Sequence, residues 1–395
     1  MRTTAIICEF DPMHRGHEHL IREARRAGAE RIVCIMSGEF CQRAEPAAIP
    51  KHARAHAALL TGADLVLELP FPFSCGSAEF FAHGAISVIA ALGCVDTLAF
   101  GCESGDATGL VEAAVRMCSA DFAAEYEKLS TEHSSLGTAA ITERCYSTLY
   151  GESELLQGAN NVLALEYIKA THRASLPLSY LAVKRRGAGH GDTSGQGEFV
   201  SASYIRERLR ARDTDLARYL PENTADILLA SVAKHSPPSL ENAERAMLAH
   251  FRLSPEAPDT AELGGGLGNR IHSAAQRAVG YESLLSLSKT KKYTDARLRR
   301  AILYAMCSVR ELDLHTPPAY TTLLGANEVG CALLAQIKKT RRMPIVSTPS
   351  MLGELPVECE RSLALSRSAS ALYSLCCEGL PASDTTLRIP PVIIK

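Results

Sequence analysis

Residues 5–20 read AIICEFDPMHRGHEHL, an apolar segment that runs straight into a knot of ionisable side chains. Ala5, Ile6, Ile7 and Cys8 are apolar without alternation and stop at the turn-forming pair Asp11-Pro12, which predicts a short strand buried on both faces. His14, Gly16 and His17 follow in the turn. From about His17 onward Leu20, Ile21 and Ala24 recur at helical spacing, so the polar residues stand where a strand hands over to a helix. A helix start gathers unpaired N–H groups and the positive end of the helix dipole, and it therefore favours anions.

Moving outward, the segments Thr4 to Cys8, Arg31 to Met36, Ala63 to Leu69, Asp96 to Phe100 and Leu178 to Val183 read as strands. Stretches of helical periodicity separate them, among them Ala53 to Leu60 and Ala82 to Leu92. The alternation predicts an α/β fold, a doubly wound parallel sheet of the Rossmann-like kind, whose ligands bind outside the carboxyl ends of the strands. The polar loops EFDPMHRGH, SGEFCQRAEPA, GCESGD and KRRGAGHGD each follow a strand and should converge on one edge. From Ser201 the pattern turns to helix after helix, with residues 254–268, SPEAPDTAELGGGLG, as a flexible interruption. Asp295 to Cys307 pairs an apolar stripe (Leu298, Ile302, Met306) with arginines and predicts an exposed basic helix packed by one face. A boundary near residue 215 gives two expected domains, 1–215 for catalysis and a mostly helical 216–395.

A chain of 395 residues is long enough for two cores. No apolar run reaches the ~18 residues of a membrane span, and the N-terminus lacks a secretory pattern, so a cytoplasmic protein with no membrane partner is expected. Thirteen cysteines without any C-x-x-C pattern read as small core hydrophobes in a reducing compartment, with Cys8, Cys34, Cys94, Cys307 and Cys331 in apolar segments. Residues 1–200 hold 17 basic against 24 acidic side chains and the remainder 25 against 20. A modestly basic C-terminal half is compatible with a polyanion such as RNA, although a solvated surface is the commoner reason for such a balance.

His14, His17 and His19 read either as ordinary polar residues of a surface turn, since a bare H-x-G-H often arises by chance, or as a grip for phosphate. In H-x-G-H, glycine would let a phosphate chain approach the backbone while imidazoles and N–H groups grip it, stabilising charge on phosphoryl oxygens as pyrophosphate leaves the α-phosphorus of ATP. A protein-held metal at Asp11, His14 and His17 lacks a supporting ligand frame, so none is expected beyond Mg²⁺ carried by ATP. FVSASYIRERL (Phe199 to Leu209) starts a second helix with Ser201 or Ser203 as cap and Arg206 in its first turns. Gly101 ends an apolar strand, as a turn or to admit a ligand. Asn160 and Asn161 could cap a helix or bind a ligand. Arg185, between Lys184 and Arg186, opens a loop with Gly187, Gly189 and Gly191 suited to an anion.

H-x-G-H after the first strand and the later Ser-x-x-x-Ile-Arg resemble the nucleotidylyltransferase superfamily. The wider set EFDPMHRGHEHL, SGEFCQRAEPAAIPKHARAHAALLTGADLVLELP, LAFGCE, NNVLALEYIKA, VKRRGAGH, SKTKKYTDARLRRAILY and LLGANEVGCALL resembles one family, the bacterial tRNA(Met) cytidine acetate ligases. That family usually reads E-Y-N-P-F-H-N-G-H at the first loop, so Asp11, Met13 and Arg15 depart from it. Asp11 sets a carboxylate near the expected phosphates. The usual Q-R-G-E-P becomes Gln42-Arg43-Ala44-Glu45-Pro46. The resemblance implies that acetate and ATP give acetyladenylate, whose acetyl group passes to N4 of the wobble cytidine of elongator tRNA(Met). It also implies an ATP loop of Ile7, Cys8, Glu9, Phe10, Asp11, Pro12, Met13 and His14, continuing through Arg15, Gly16, His17, Glu18, His19 and Leu20. Within it His14 and His17 hold the triphosphate, and Gly101, Asn160, Asn161 and Arg185 complete the site.

Phosphate contacts to the tRNA are expected from Lys289, Lys291, Lys292, Arg297, Arg299 and Arg300, with Lys338, Lys339, Arg341 and Arg342 as a second cluster. Two other functions fit the first loop. One is a metabolic nucleotidylyltransferase acting on a small phosphorylated acceptor, and the other a non-catalytic, nucleotide-dependent RNA-binding protein.

Overall fold

The computed structural model describes all residues except 134–135, 186–198, 214, 234–235, 254–259 and 291. The five expected strands form, as β1 (Thr3–Cys8), β2 (Arg31–Ser37), β3 (Leu65–Leu69), β4 (Thr97–Cys102) and β5 (Ser179–Lys184). Helix α1 (Arg15–Arg26) links β1 to β2, α2 (Lys51–Leu60) links β2 to β3, and α3 (Ala78–Leu92) links β3 to β4. Four helices, α4 (Ala107–Met117), α5 (Ala120–Glu132), α6 (Thr138–Tyr150) and α7 (Ala159–Arg173), fill the connection from β4 to β5.

Strands β1 to β5 are all parallel, in the spatial order β5-β4-β1-β2-β3. The chain leaves β1 toward β2 on one side and returns to β4 on the other, so the order reverses between β1 and β4. That reversal opens a crevice at the carboxyl ends of both strands. Successive side chains of a strand face opposite ways, and β1 divides accordingly. Ala5 and Ile7 pack under α3, α4 and α7, whereas Ile6 and Cys8 pack under α1, α2 and the helices that follow β5.

After β5 come α8 (Ala202–Arg210), α9 (Ala225–Val232), α10 (Glu244–Leu253), α11 (Leu267–Ala275), α12 (Tyr281–Ser288), α13 (Asp295–Met306) and α14 (Glu311–His315). The mostly helical pattern expected beyond Ser201 holds and is broken by β6 (Thr321–Ala326), which joins the sheet antiparallel to β3. It is followed by α15 (Glu328–Ile337), β7 (Ile345–Val346), α16 (Glu360–Cys376), α17 (Thr385–Arg388) and β8 (Val392–Ile393), and β7 and β8 both run parallel to β6. The sheet is therefore mixed, with a parallel centre and an edge supplied by the C-terminal half.

Helix α13 is not the exposed basic helix that its arginines suggested. Leu298, Ala301, Ile302, Leu303, Tyr304 and Ala305 are all buried, at the centre of a third core that also takes in Phe40, Ala44, Phe71 and Cys75 from the loops after β2 and β3. Of residues 254–268, the first six lie outside the described residues, and Thr260 bridges to Arg310. All thirteen cysteines are free. Cys331 is exposed rather than in the core, because it sits on the outer face of α15 while Leu333 and Ile337 turn inward.

Candidate active site

A cleft of about 460 Å³ opens at the carboxyl ends of β1 and β4. His14 is the N-cap of α1, and its Nδ1 accepts the Gly16 N–H at 3.0 Å. The Nδ1 of His17 in turn accepts the His14 N–H at 3.3 Å, which makes a reciprocal capping box built from imidazoles. A neutral ring that accepts at Nδ1 carries its proton on Nε2, so each ring keeps one N–H to offer. The rings stack with centroids 3.7 Å apart. Burial, with the nearby Arg185 and Arg206 charges, pushes His14 down to about 3. Burial, the neighbouring His14 and Arg185 hold His17 well below its ordinary value. Both imidazoles are neutral donors at physiological pH.

Gly16 serves a purpose the sequence did not reveal. A Cβ there would meet Cε1 of His14 at 2.8 Å, so the glycine makes room for the capping ring at the cleft wall. Helix α1 also starts earlier than expected, at Arg15.

The first loop divides by direction. Ile7, Cys8, Glu9, Phe10, Asp11, His14, Gly16, His17, His19 and Leu20 line the cleft, whereas Pro12, Met13, Arg15 and Glu18 do not. Met13 is buried in the core, and Arg15 donates to the carbonyl of Arg218 at 2.7 Å. Asp11 is only 3% exposed, and its two oxygens accept the N–H groups of Ile49 and Ala48, each at 3.0 Å. The carboxylate thus ties the loop after β2 to the loop after β1, with both oxygens bound by backbone N–H groups at the wall of the cleft. The fully buried Arg54 reinforces the tie by donating to the carbonyls of Ile49 (2.8 Å), Glu9 (2.6 Å), Ser37 (3.0 Å) and Gly38. In the same loop Ala44 holds φ +57°, which a glycine would adopt without the ~1 kcal/mol cost of a Cβ there.

On the other side of the cleft, neither Asn160 nor Asn161 caps α7, whose N-cap is Gly158. Glu103, unassigned from the sequence, takes that task. Its carboxylate accepts the backbone N–H of Asn160 (3.2 Å) and of Asn161 (2.7 Å), together with the Asn160 side-chain amide (2.7 Å). Burial alone would raise Glu103, but the bonds from Asn160 and Asn161 outweigh it and hold the carboxyl below its usual range. Asn161 turns inward to accept the N–H groups of Glu103 and Ser104, while Asn160 accepts from Arg185 at 3.1 Å. Gly101, Asn160 and Arg185 line the cleft and Asn161 supports them from below. A Cβ on Gly101 would meet no protein atom nearer than 3.7 Å, so the space beside it belongs to the cleft.

Ser201, not Ser203, caps α8 by accepting the Tyr204 N–H at 3.1 Å. Arg206 then reaches back across the cleft to the Asp11 carbonyl (2.7 Å) and the Ser203 hydroxyl (3.1 Å). Residues the sequence left without a site role also line the cleft, among them Gln42, Phe81 and Tyr167. Arg54 had a visible signal, a charge among Ala55, Ala57 and Ala58 on an apolar helix. Arg186, Gly187, Gly189 and Gly191 lie outside the described residues.

The basic residues expected to meet RNA separate in the same way. Arg300 is buried and paired with Glu262 at 2.8 Å, and Arg297 pairs with the same carboxylate at 3.1 Å while lying over Tyr293. These two guanidiniums hold α13 in place and do not stand on an open face. Arg299 donates to the carbonyl of Arg43 at 3.1 Å. Lys289, paired with Asp295 at 2.8 Å, and Lys292 are exposed, as are Lys338, Lys339 and Arg342, with Arg341 half-buried. Lys291 lies outside the described residues. Among the described residues, no helix is long and apolar enough to cross a membrane, and no group of three metal-ligating side chains stands together.

The HIGH Nucleotidyl Transferase family model matches residues 1–386. The tRNA(Met) cytidine acetate ligase of Syntrophotalea carbinolica is 35% identical over 364 residues, which are 89% of this chain and 86% of that one. The apo crystal structure (form I) of Thermotoga maritima TmcAL superposes with a TM-score of 0.91 at 29% identity, covering 100% of both chains. The same protein bound with alpha-thio ATP (form II) gives 0.88 at 28% identity, over 100% of this chain and 99% of that one.

Proposed function

Since the chain belongs to the HIGH nucleotidyl transferase family and, within it, to the tRNA(Met) cytidine acetate ligases, we propose that its cleft activates acetate with ATP and hands the acetyl group to tRNA. The protein is an ATP-dependent ligase acting on tRNA(Met). The observation that carries the chemistry is the pair of stacked neutral imidazoles whose Nδ1 atoms are fixed by backbone N–H groups at the start of α1. Fixed donors cost no reorganisation when charge develops, so their Nε2–H groups stabilise the oxygens of the triphosphate more in the transition state than before it.

An acetate oxygen attacks the α-phosphorus and pyrophosphate departs with the electron pair of the broken P–O bond. Arg185 and Arg206, on opposite sides of the cleft, supply positive charge for the nucleotide, and Gly101 leaves room for it. Mg²⁺ carried by the triphosphate would shield part of its charge. The N4 amine of the wobble cytidine of elongator tRNA(Met) then attacks the acetyl carbonyl, releasing AMP. Exposed Lys289 and Lys292 contact phosphates of the RNA, and the reaction takes place in the cytoplasm.

With ATP and acetate, the purified protein is expected to release pyrophosphate, and labelled acetate is expected to enter tRNA(Met) carrying a wobble cytidine. His14→Ala and His17→Ala should each abolish pyrophosphate release without loss of fold. Undiminished release in either variant removes the assignment, and label that never reaches RNA despite adenylate formation favours a small-molecule acceptor.

A further inference from the structure

Acetyl transfer needs something the phosphate site does not supply. An exocyclic cytidine amine is barely basic, so the attacking nitrogen must lose a proton as the new bond forms, and a base must stand within reach. Most candidates lining the cleft are already committed. His14 and His17 each use Nδ1 to accept a backbone N–H. Asp11 uses both oxygens on Ala48 and Ile49. Glu45 stands at the cleft wall opposite Arg299, 3.7 Å away.

Glu9 differs. It directly follows β1 and faces the cleft, and only one of its oxygens is engaged, Oε1, which accepts the Gln42 N–H at 2.6 Å. Its Oε2 accepts no hydrogen bond from any described residue. The clamp is firm, because Gln42 belongs to the loop that Asp11 and Arg54 pin to β1, and Arg54 also holds the carbonyl of Glu9 at 2.6 Å. Ile7, Phe81 and Tyr167 add an apolar wall to the same cleft.

We propose that Glu9 is the catalytic base of the acetyl transfer, an assignment that rests on the acetate-ligase reading of the cleft. The N4 lone pair forms the C–N bond at the acetyl carbonyl carbon, and the C–O bond to the phosphate of AMP breaks, its electron pair leaving on AMP. One N4 proton passes to Oε2 of Glu9 and from there to water. Burial raises the carboxyl of Glu9 above its usual range despite the bond from Gln42 and the Arg206 charge, which brings it closer to the pH at which a base is most effective.

Glu9→Gln keeps the size and the acceptor for Gln42 but removes the proton acceptor. In the full-length protein, acetate-dependent exchange of labelled pyrophosphate into ATP reads adenylation. Single-turnover transfer of labelled acetyl from enzyme-bound adenylate to tRNA(Met) reads the second step. Transfer is expected to fall roughly 10²-fold further than exchange. The wild-type transfer rate should rise with pH to a plateau, and the rise should vanish in Glu9→Gln. Glu9→Asp, which retains a carboxylate at shorter reach, should recover part of the loss and serves if the amide variant fails to fold. Equal falls in exchange and transfer, normal transfer in Glu9→Gln, or the selective loss appearing in Glu45→Gln instead would overturn the assignment. A wild-type protein without acetate-dependent exchange sinks the ligase reading, and Glu9 with it.

Discussion

At the scale of the residue, the site is built from atoms that serve two purposes at once. His14 caps α1 with Nδ1 and thereby keeps its proton on Nε2, so the bond that starts the helix also selects the donor presented to ATP. Gly16→Ala should therefore damage both. With its Cβ at 2.8 Å from the His14 ring, the variant is expected to lose at least about tenfold in pyrophosphate release and ~1 kcal/mol in urea denaturation, the usual worth of an N-cap. The depressed value of His14, about 3 against an ordinary 6.5, links fold to pH. Between those limits the unfolded chain binds the proton and the folded one does not. The histidine's contribution to stability is thus complete above pH 6.5 and is lost as pH falls toward 3. Urea midpoints should rise from pH 5 to pH 7.5, and His14→Gln should flatten that rise. An equal slope in the variant would assign the pH dependence elsewhere. Asp11→Asn exchanges one of two carboxylate acceptors for an amide donor, so it should cost ~1–3 kcal/mol of stability while leaving ATP affinity within a few-fold.

At the scale of the element, the loop after β2 decides how well the cleft is formed. Asp11 and Arg54 hold it to β1, and a buried ionic cluster holds its start. Lys51 reaches Glu39 at 2.8 Å and Glu68 at 2.9 Å, and Thr386 donates to Glu39 at 2.6 Å. Lys51→Met would leave two carboxylates facing each other without a cation, and chemical denaturation should register a loss of ~3–5 kcal/mol. Of the five parallel strands, β1 to β4 were legible in the sequence because each is an almost fully buried apolar run closed by a turn, and the edge strand β5 because its apolar residues stand between a helix and a glycine-rich loop. β6 was not, since TTLLGA is as short and apolar as a helix segment and only its pairing with β3 settles the matter. H-x-G-H, Gly101, Asn160 and Arg185 stood out as motifs and do share one cleft. The roles of Gly16 and Glu103 were hidden, because each depends on a partner distant in space or on a ring orientation that spacing does not encode, whereas Arg54 showed itself only as a charge on an apolar helix whose partners spacing does not name. Arg297 and Arg300 misled for a related reason: a basic helix looks exposed until Glu262 is placed beneath it.

At the scale of the whole molecule, the C-terminal half braces the catalytic edge. The hydroxyl of Tyr373 donates to the Ala47 carbonyl at 3.0 Å, that of Tyr304 to the Pro72 carbonyl at 3.2 Å, and Arg299 to the Arg43 carbonyl at 3.1 Å. The surface that bears Lys289 and Lys292 is therefore tied through α13 to the loop that holds Glu9 in place. If those two lysines neutralise RNA phosphates, the double variant Lys289→Ala/Lys292→Ala should lower the slope of log affinity for tRNA against log salt by roughly 2. Acetate-dependent pyrophosphate exchange should stay as it is, and an unchanged slope would move the contact to another face. The central claim concerns the two rings themselves. Imidazole ¹⁵N spectra of the histidine-labelled protein, recorded without and with ATP, report it most directly. The account predicts that His14 and His17 are neutral with Nδ1 unprotonated, and that both Nε2 resonances shift on addition of ATP as their protons engage phosphate oxygens. Rings charged at neutral pH, protonated at Nδ1, or indifferent to the nucleotide would contradict it.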